Sequence, residues 1–577
     1  MAETINTIYH STTKITLYQM MSFSKKDIIH ILCLFALLLL PNVCAFFMAV
    51  DMEGAWVMKA GYMGMVAVCL FLPALLFKTR TYFFIEGVLS FLFMPIDIAS
   101  LYLNKQSASK LFFNSILNTD ILEATELLQT LWPICLIVFL LWGIYIYLCV
   151  RIPNLPFVSK KLRLWGVVAS FAMILATYVS LTLLIRKINP NDSTREVLTE
   201  SLDKFGMKFL KIYPYNLYIN ACLLWQDQRE WNQAQANVEA FSFGISTRDA
   251  IDSTLFILYI GEAARYDHMD INGYERNTTP CLSAQNNLIS FSSIYAQANL
   301  TNYSIPFLLT RATAADREVM HHEKSILEAF QEAGYQTAFL SKNSYSPFTM
   351  RIMNSCDYHH IFSRGLDAVD SYDIDLVQHL QQIANHKGQF AVLHSLGSHF
   401  KYSLRYPEEA TYFTPALKPN DGYKMITEEH KEVLINAYDN SIRYADYVVG
   451  ELIQWADSLD QKVVIMYISD HGESFWDDER KLSLHGSYEL CEAEYHVPCF
   501  IWYSDEYQQV FPHKVDLLLQ NKDVPHNSSI TFSTLLDLAD ITEVVDSTRS
   551  LCSPYIQPQS SFPVLNGAGE LKTYVIQ

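Results

Sequence analysis

No two cysteines in this chain are spaced C-x-x-C, and the eleven present fall at irregular intervals. A thiolate-held metal cluster is therefore not what organises it. There is also no Lys/Arg-rich tract after residue 189, and the formal net charge is −18. That balance argues against nucleic acid as a partner. Internal repeats and low-complexity stretches are missing too, which excludes solenoids and disordered arrays.

What the chain has in excess is apolar length. Half of its 577 residues are hydrophobic and its mean hydropathy is positive, too much for one soluble domain. The excess is N-terminal. Runs at Ile28 to Val50, Ala55 to Phe77, Thr81 to Asn104, Leu127 to Val150 and Leu164 to Ile185 each reach the roughly 20 residues that span a bilayer. The expectation is five transmembrane helices within residues 1–188. A cleaved leader competes for the first run only, but that run is long, lacks a small-residue cleavage site and is followed by four more.

Basic residues set the orientation. Lys25 and Lys26 precede the first run, Lys78 and Arg80 separate the second from the third, and Lys160, Lys161 and Arg163 separate the fourth from the fifth. With these segments cytoplasmic, the acidic loop Asp51 to Gly54 and the loop Ser107 to Glu126 lie outside, as does everything after Ile185. Glu86 and Asp97 fall within the third run, where an ionisable group is a functional candidate by default. Their nearness to a helix end favours interfacial or helix-pairing roles, and Lys59 reads the same way. Residues 189–248, polar with scattered aromatics, read as amphipathic helices along the membrane face or as linker helices.

After Ile251 the pattern changes to short apolar strands alternating with helical spacing. TLFILYI, QTAFL, QFAVLHSL, VVIMYISD and CFIWYSD read as strands, and SILEAFQEAGY and the stretch from His430 to Leu459 as helices. This is the signature of an α/β layered sheet, filling one domain over residues 249–577. Two strands end abruptly in ligand-type side chains: TLFILYIGEAAR at Glu262, and VVIMYISDHGES at Asp470 and His471. Buried strands deliver groups in this way to the carboxyl edge of a sheet. The trio suits Zn²⁺ and hydrolytic or group-transfer chemistry.

Such an enzyme needs a nucleophile. Thr301, in ANLTNYSIPFLL, precedes an apolar run with Pro306, which predicts a helix starting near it. A helix N-terminus presents free N–H groups to a phosphate. Alone, Thr301 is also what a helix cap looks like; its company favours the nucleophile. Ser304 is the alternative hydroxyl. His399 and His485 follow motif-bearing strands, where each can hold a second metal or a phosphate oxygen, or protonate a leaving oxygen. His394 reads as packed or supporting, and His321, His322, His359 and His360 as surface residues.

GEAAR with NGYERNTTP, Thr301 with YSIP, HSLGSHFKYSLRYP, AYDN and SDHGES, in that order behind five spans, resemble the bacterial phosphoethanolamine transferases of the sulfatase and alkaline-phosphatase superfamily. LGSHFKYSLRYPEE is most similar to the branch that modifies lipopolysaccharide core or lipid A. The resemblance implies a sulfatase/alkaline-phosphatase-like α/β domain in the periplasm, anchored in the inner membrane with its N-terminus cytoplasmic. It implies one tight Zn²⁺ site at Glu262, Thr301, Asp470 and His471, with room for a second. Thr301 is then the nucleophile, His399 a catalytic partner, and His399, His485 and Asn343 contacts to substrate or second metal. Phosphatidylethanolamine is the implied donor and lipopolysaccharide or lipid A the acceptor. Where some members carry a disulfide around the nucleophile, this chain has Gln297 and Phe307.

Three other readings are weaker. A sulfatase needs C/S-x-P-x-R, which TNYSIPF lacks. A glycerol-phosphate transferase of the lipoteichoic-acid-synthase type shares five spans and a threonine nucleophile. A non-catalytic membrane scaffold would not need the intact quartet.

Overall fold

The computed structural model describes residues 23–48, 56–104, 107–108, 121–188, 194, 197–198, 201–202, 212–248, 253–343, 347–362, 371–385, 387–419, 421 and 425–576. The chain forms two compact units. One comprises residues 1–114 and 131–225, the other 115–130 and 226–577.

The first unit is helical: α1 (Lys25–Met48), α2 (Trp56–Leu76), α3 (Thr79–Asn104), the part of α4 (Ile121–Arg151) from Leu131 on, α5 (Lys160–Ile188) and the start of α6 (Tyr215–Ala240). Among the described residues, four segments are long and apolar enough to cross a membrane: Lys25–Phe47, Thr79–Leu101, Trp132–Arg151 and Lys161–Lys187. In place of the expected second span the described residues hold only a shorter apolar helical stretch, Tyr62–Leu76. The Lys59 side chain, the loop 51–54 and most of residues 109–120 and 189–211 lie outside the described residues.

Buried polar groups tie this unit together. Asn42 donates to the Tyr213 carbonyl at 2.9 Å and accepts from its N–H at 3.0 Å. Glu86 Oε1 lies 3.0 Å from the Tyr215 hydroxyl. Asp97 Oδ1 accepts from Asn216 Nδ2 and from the Ala108 N–H, each at 3.0 Å. Each acid pairs helices through neutral donors at one oxygen, while Glu86 Oε2 and Asp97 Oδ2 are buried without a hydrogen-bond partner.

The second unit is built on a seven-stranded sheet. Its strands are β1 (Thr254–Gly261), β2 (Leu288–Phe291), β3 (Gln336–Ser341), β4 (Tyr358–Ile361), β5 (Gln389–His394), β6 (Lys462–Ser469) and β7 (Cys499–Tyr503), in the spatial order β2-β7-β6-β1-β5-β3-β4. All pairings among β6, β1, β5, β3 and β4 are parallel, and β7 is antiparallel to both of its neighbours.

The central strands are continuous apolar runs because both faces are covered. Phe256, Leu258 and Ile260 of β1 face one core with Val464, Met466 and Ile468 of β6, packed by Ile326–Glu332, Ile530–Leu538 and α7 (Thr301–Leu309). Leu255, Ile257 and Tyr259 face the other with Val463, Ile465 and Tyr467, covered by α8 (Lys431–Asp457). Each fully buried Val, Leu or Ile contributes about 1.5–3 kcal/mol, so the middle of the sheet is rigid ground for a site. Ser325 opens the helix at Ile326 with a capping box to Glu328. All eleven cysteines are free.

Candidate functional site

Strand register brings the site together. Gly261, the last residue of β1, pairs with Ser469, the last of β6, so the next residues, Glu262 and Asp470, emerge side by side at the carboxyl edge. On the other flank of β1, His394 ends β5 opposite Ile260. Glu262, His394 and Asp470 are all buried, and each offers one ligand atom within 4.8 Å of the others. His471 Nε2 lies 3.4 Å from both Glu262 Oε1 and Asp470 Oδ2.

The chain turns sharply after Glu262 through Ala263, at φ +54°. This left-handed position costs a non-glycine residue about 1 kcal/mol or more. It is held from both sides: the Ala263 N–H donates to Asp470 Oδ1 at 3.1 Å, and its carbonyl accepts from the Tyr438 hydroxyl at 2.7 Å.

Thr301 is the first residue of α7, as its sequence context predicts, although Pro306 lies within the helix. Its hydroxyl sits 3.1 and 3.2 Å from the two Glu262 oxygens and 3.2 Å from His471 Nε2. Ser304 instead donates to its own loop, at the Ala298 carbonyl. Of the two hydroxyls, Thr301 is the one that faces the carboxylates.

Electrostatics give the site its character. Burial pushes the Glu262 carboxyl up, but hydrogen bonds from His394 and His471 and the charge of His471 outweigh it and hold the group well below the usual range. Burial and the neighbouring Glu262 charge push Asp470 up to about 6. Burial opposes charge on His471, yet Asp470 and Glu262 drive it up to about 10. Two buried carboxylates side by side demand positive charge. Asp470 Oδ2 is buried with no hydrogen-bond partner. An orphan carboxylate oxygen amid carboxylate and imidazole donors fits a divalent cation.

The structure promotes His394, read from sequence as merely packed or supporting. Its Nε2 lies 3.6 Å from Glu262 Oε2, inside the ligand cluster. Asn343, expected on a substrate loop, is buried with its amide 3.2 Å from that same nitrogen and 2.8 Å from the Ser395 carbonyl. His485 and His399 both reach the site: the His485 ring centroid is 4.3 Å from that of His471 and 5.7 Å from that of His399.

Sequence reasoning missed the groups behind these histidines. Glu473, fully buried, accepts from the Tyr402 hydroxyl and pairs with His485 Nδ1, each at 2.9 Å. Arg265 donates to the Glu473 carbonyl while bridging Asp267 and Asp477. Of the four expected surface histidines, His322 and His359 are exposed; His321 and His360 are half-buried, with His360 stacked on His379.

A family model described as Sulfatase matches residues 254–541, a span that holds every one of these site residues. Over 270 residues the chain is 33% identical to the Kdo(2)-lipid A phosphoethanolamine 7''-transferase of Escherichia coli (strain K12), covering 44% of this chain and 46% of that protein. Over 306 residues it is 31% identical to phosphoethanolamine transferase EptA of Salmonella typhimurium, covering 50% and 53%. Residues 254–541 therefore match the Sulfatase family, and over about half its length the chain is similar to phosphoethanolamine transferases. It spans about half the length of the curated relatives it matches. Likeness of fold runs further. The integral membrane lipooligosaccharide phosphoethanolamine transferase A (EptA) from Neisseria meningitidis aligns with a TM-score of 0.68 at 21% identity, covering 90% of this chain and 97% of that one.

Proposed function

We propose that this protein transfers phosphoethanolamine from phosphatidylethanolamine to a lipopolysaccharide component, a lipid A or core sugar or phosphate, through a covalent intermediate on Thr301. The observation that carries the reading is the Thr301 hydroxyl at the start of α7, 3.1–3.2 Å from Glu262 and His471. The names of the relatives above give the transferred group, phosphoethanolamine, and in one case lipid A as acceptor; phosphatidylethanolamine is the donor that the sequence resemblance implies.

In this reading Glu262, Asp470, His471, Thr301 and His394 surround a Zn²⁺ site. Zinc bound there supplies Lewis acidity, lowering the hydroxyl pKa and offsetting charge on phosphoryl oxygens. The chain's own groups do the rest. Thr301 Oγ1 attacks phosphorus in line; its bond to phosphorus forms as the bond to the glycerol oxygen breaks, and diacylglycerol leaves with the proton. An acceptor oxygen then displaces Thr301, restoring its hydroxyl. The first amides of α7 face developing charge on the phosphoryl oxygens. His485, oriented by Glu473, and His399 are placed to hold a phosphoryl oxygen or protonate the departing one.

Residues 1–188 then form a five-span anchor with a cytoplasmic N-terminus, 189–248 a connecting segment and 249–577 the periplasmic catalytic domain. The anchor keeps the site where both lipids are.

The test is intact mass of the full-length protein in detergent, incubated with zinc and a phosphatidylethanolamine analogue, beside Thr301→Ala. A phosphoethanolamine adduct on the wild type alone is the expected result. Labelling by a glycerol-phosphate donor instead would make the protein a polymerase-type enzyme. An adduct that persists in Thr301→Ala would remove Thr301 from the mechanism.

A further inference from the structure

Behind the nucleophile lies a second buried carboxylate that the mechanism does not use. Glu494 is fully buried. Its Oε2 accepts from Asn299 Nδ2 at 2.6 Å and from the Ser487 N–H at 3.1 Å. Its Oε1 accepts from the hydroxyls of Ser474 at 2.8 Å and Ser487 at 2.5 Å. These partners sit on three loops that carry site groups: Asn299 two residues before Thr301, Ser474 next to Glu473, and Ser487 two residues after His485. Asn299 Nδ2 also reaches the Ser487 carbonyl at 2.8 Å.

The backbone braces the same junction. The Gly472 N–H donates to the Glu494 carbonyl and the Glu473 N–H to that of Ala493, each at 2.9 Å. Close packing leaves no slack: a Cβ on Gly472 would stand 2.1 Å from the Ala493 oxygen, and one on Gly486, at φ +79°, would stand 2.9 Å from the Leu300 side chain.

We infer that Glu494 is a positioning residue, a latch that fixes the Thr301 loop against the His485 loop through the geometry of its acceptors and not through its charge. Its four donors are all uncharged, and burial pushes its carboxyl pKa up. A glutamine can reproduce the pattern. Its carbonyl oxygen accepts from Asn299 and the Ser487 N–H, and its NH₂ donates to two serine hydroxyls, which accept as readily as they donate.

The inference rests on the proposed transfer reaction for its rate assay, and a second readout is independent of that reaction. In full-length, zinc-loaded protein, Glu494→Gln keeps kcat within about twofold. Glu494→Leu lowers kcat on the order of 10²-fold, the effect of misplacing a reacting group by about 1 Å, with zinc stoichiometry and donor KM unchanged. Wild-type kcat in Glu494→Leu overturns the latch, and so does a Gln variant as impaired as the Leu variant. Should Glu494→Leu not fold, Asn299→Ala removes one arm: a roughly tenfold drop in kcat supports the latch, and an unchanged kcat overturns it. Hydrogen exchange in peptides covering 297–303 and 484–490 needs no donor lipid. Both segments exchange faster together in Glu494→Leu and neither does in Glu494→Gln; exchange that rises in only one segment refutes the latch. A wild type that forms no adduct fails the donor reading alone.

Discussion

Gly397→Ala isolates how finely the metal cluster is held. Gly397 lies in the turn after β5 at φ +49°. Its N–H and that of Leu396 donate to Asp373, and the Ser398 N–H donates to the Glu262 carbonyl at 2.9 Å. A methyl group there would meet the Glu262 carbonyl oxygen at 2.7 Å, its nitrogen at 2.8 Å and its Cβ at 3.1 Å. The closest of these is roughly 0.8 Å short of ordinary van der Waals contact. Ligand distances in a metal site tolerate only about 0.2 Å, so the shift must fall on Glu262 or on the His394 turn. Zinc affinity is expected to fall about 10–100-fold, the usual effect of disturbing groups that support ligands. Left-handed strain costs roughly another 1–2 kcal/mol of stability. Gly244→Ala separates the two terms: its φ is +71° with nothing within 4 Å of the added carbon, so it pays strain alone and keeps wild-type zinc affinity. The assay is chelator-competition zinc binding to the full-length protein, with thermal melts in parallel. Gly397→Ala that binds zinc like Gly244→Ala would refute the argument.

Three further outcomes follow from the same structure. His394→Ala lowers zinc affinity on the order of 10²-fold whereas His399→Ala leaves it within a few-fold, read by the same competition; equal effects would take His394 out of the ligand set. His526 is buried, and desolvation depresses its pKa from 6.5 to about 4. The unfolded chain therefore binds the extra proton between those values, so stability is full above pH 6.5 and falls by about 3 kcal/mol as pH drops to 4. His526→Phe flattens that slope in melts taken across the window, and an unchanged slope would place the effect elsewhere. Asp97→Ala strands the Asn216 and Ala108 donors and costs about 2 kcal/mol, seen as a lower melting temperature in detergent; a melt equal to wild type would mean that these hydrogen bonds contribute nothing net.

Much of the site was legible because a buried strand ending in an acid or histidine is a strong local pattern. Glu262 and Asp470 show it, and so does His394, whose strand QFAVLH ends in the same way and gave the same cue, which the reading of it as packed or supporting left unused. Glu473, Tyr402 and Arg265 left no such cue, since Tyr402 meets Glu473 across 71 residues and Arg265 meets the Glu473 carbonyl across 208, contacts that only folding introduces. Glu494 sits in EAEY, a polar stretch that reads as surface helix; its burial is decided by the loops closing over it. The five strands read as apolar runs all occur. The two strands of the seven-stranded sheet that went unread, LISF and YHHI, are edge strands of four residues each, too short for periodicity to mark.

The sheet order also has a consequence for how the protein is made. The three strands that carry ligands are adjacent at the centre, yet Glu262 opens the set and Asp470 closes it more than two hundred positions later. No shorter nascent chain possesses the cluster, because β6 must slot beside β1 before the second carboxylate arrives. Any metal bound by this cluster is thereby held off until Asp470 has been made. A chain that stalls or is clipped before residue 470 has lone acids and imidazoles but never the full cluster, so ion capture there would report on completed folding.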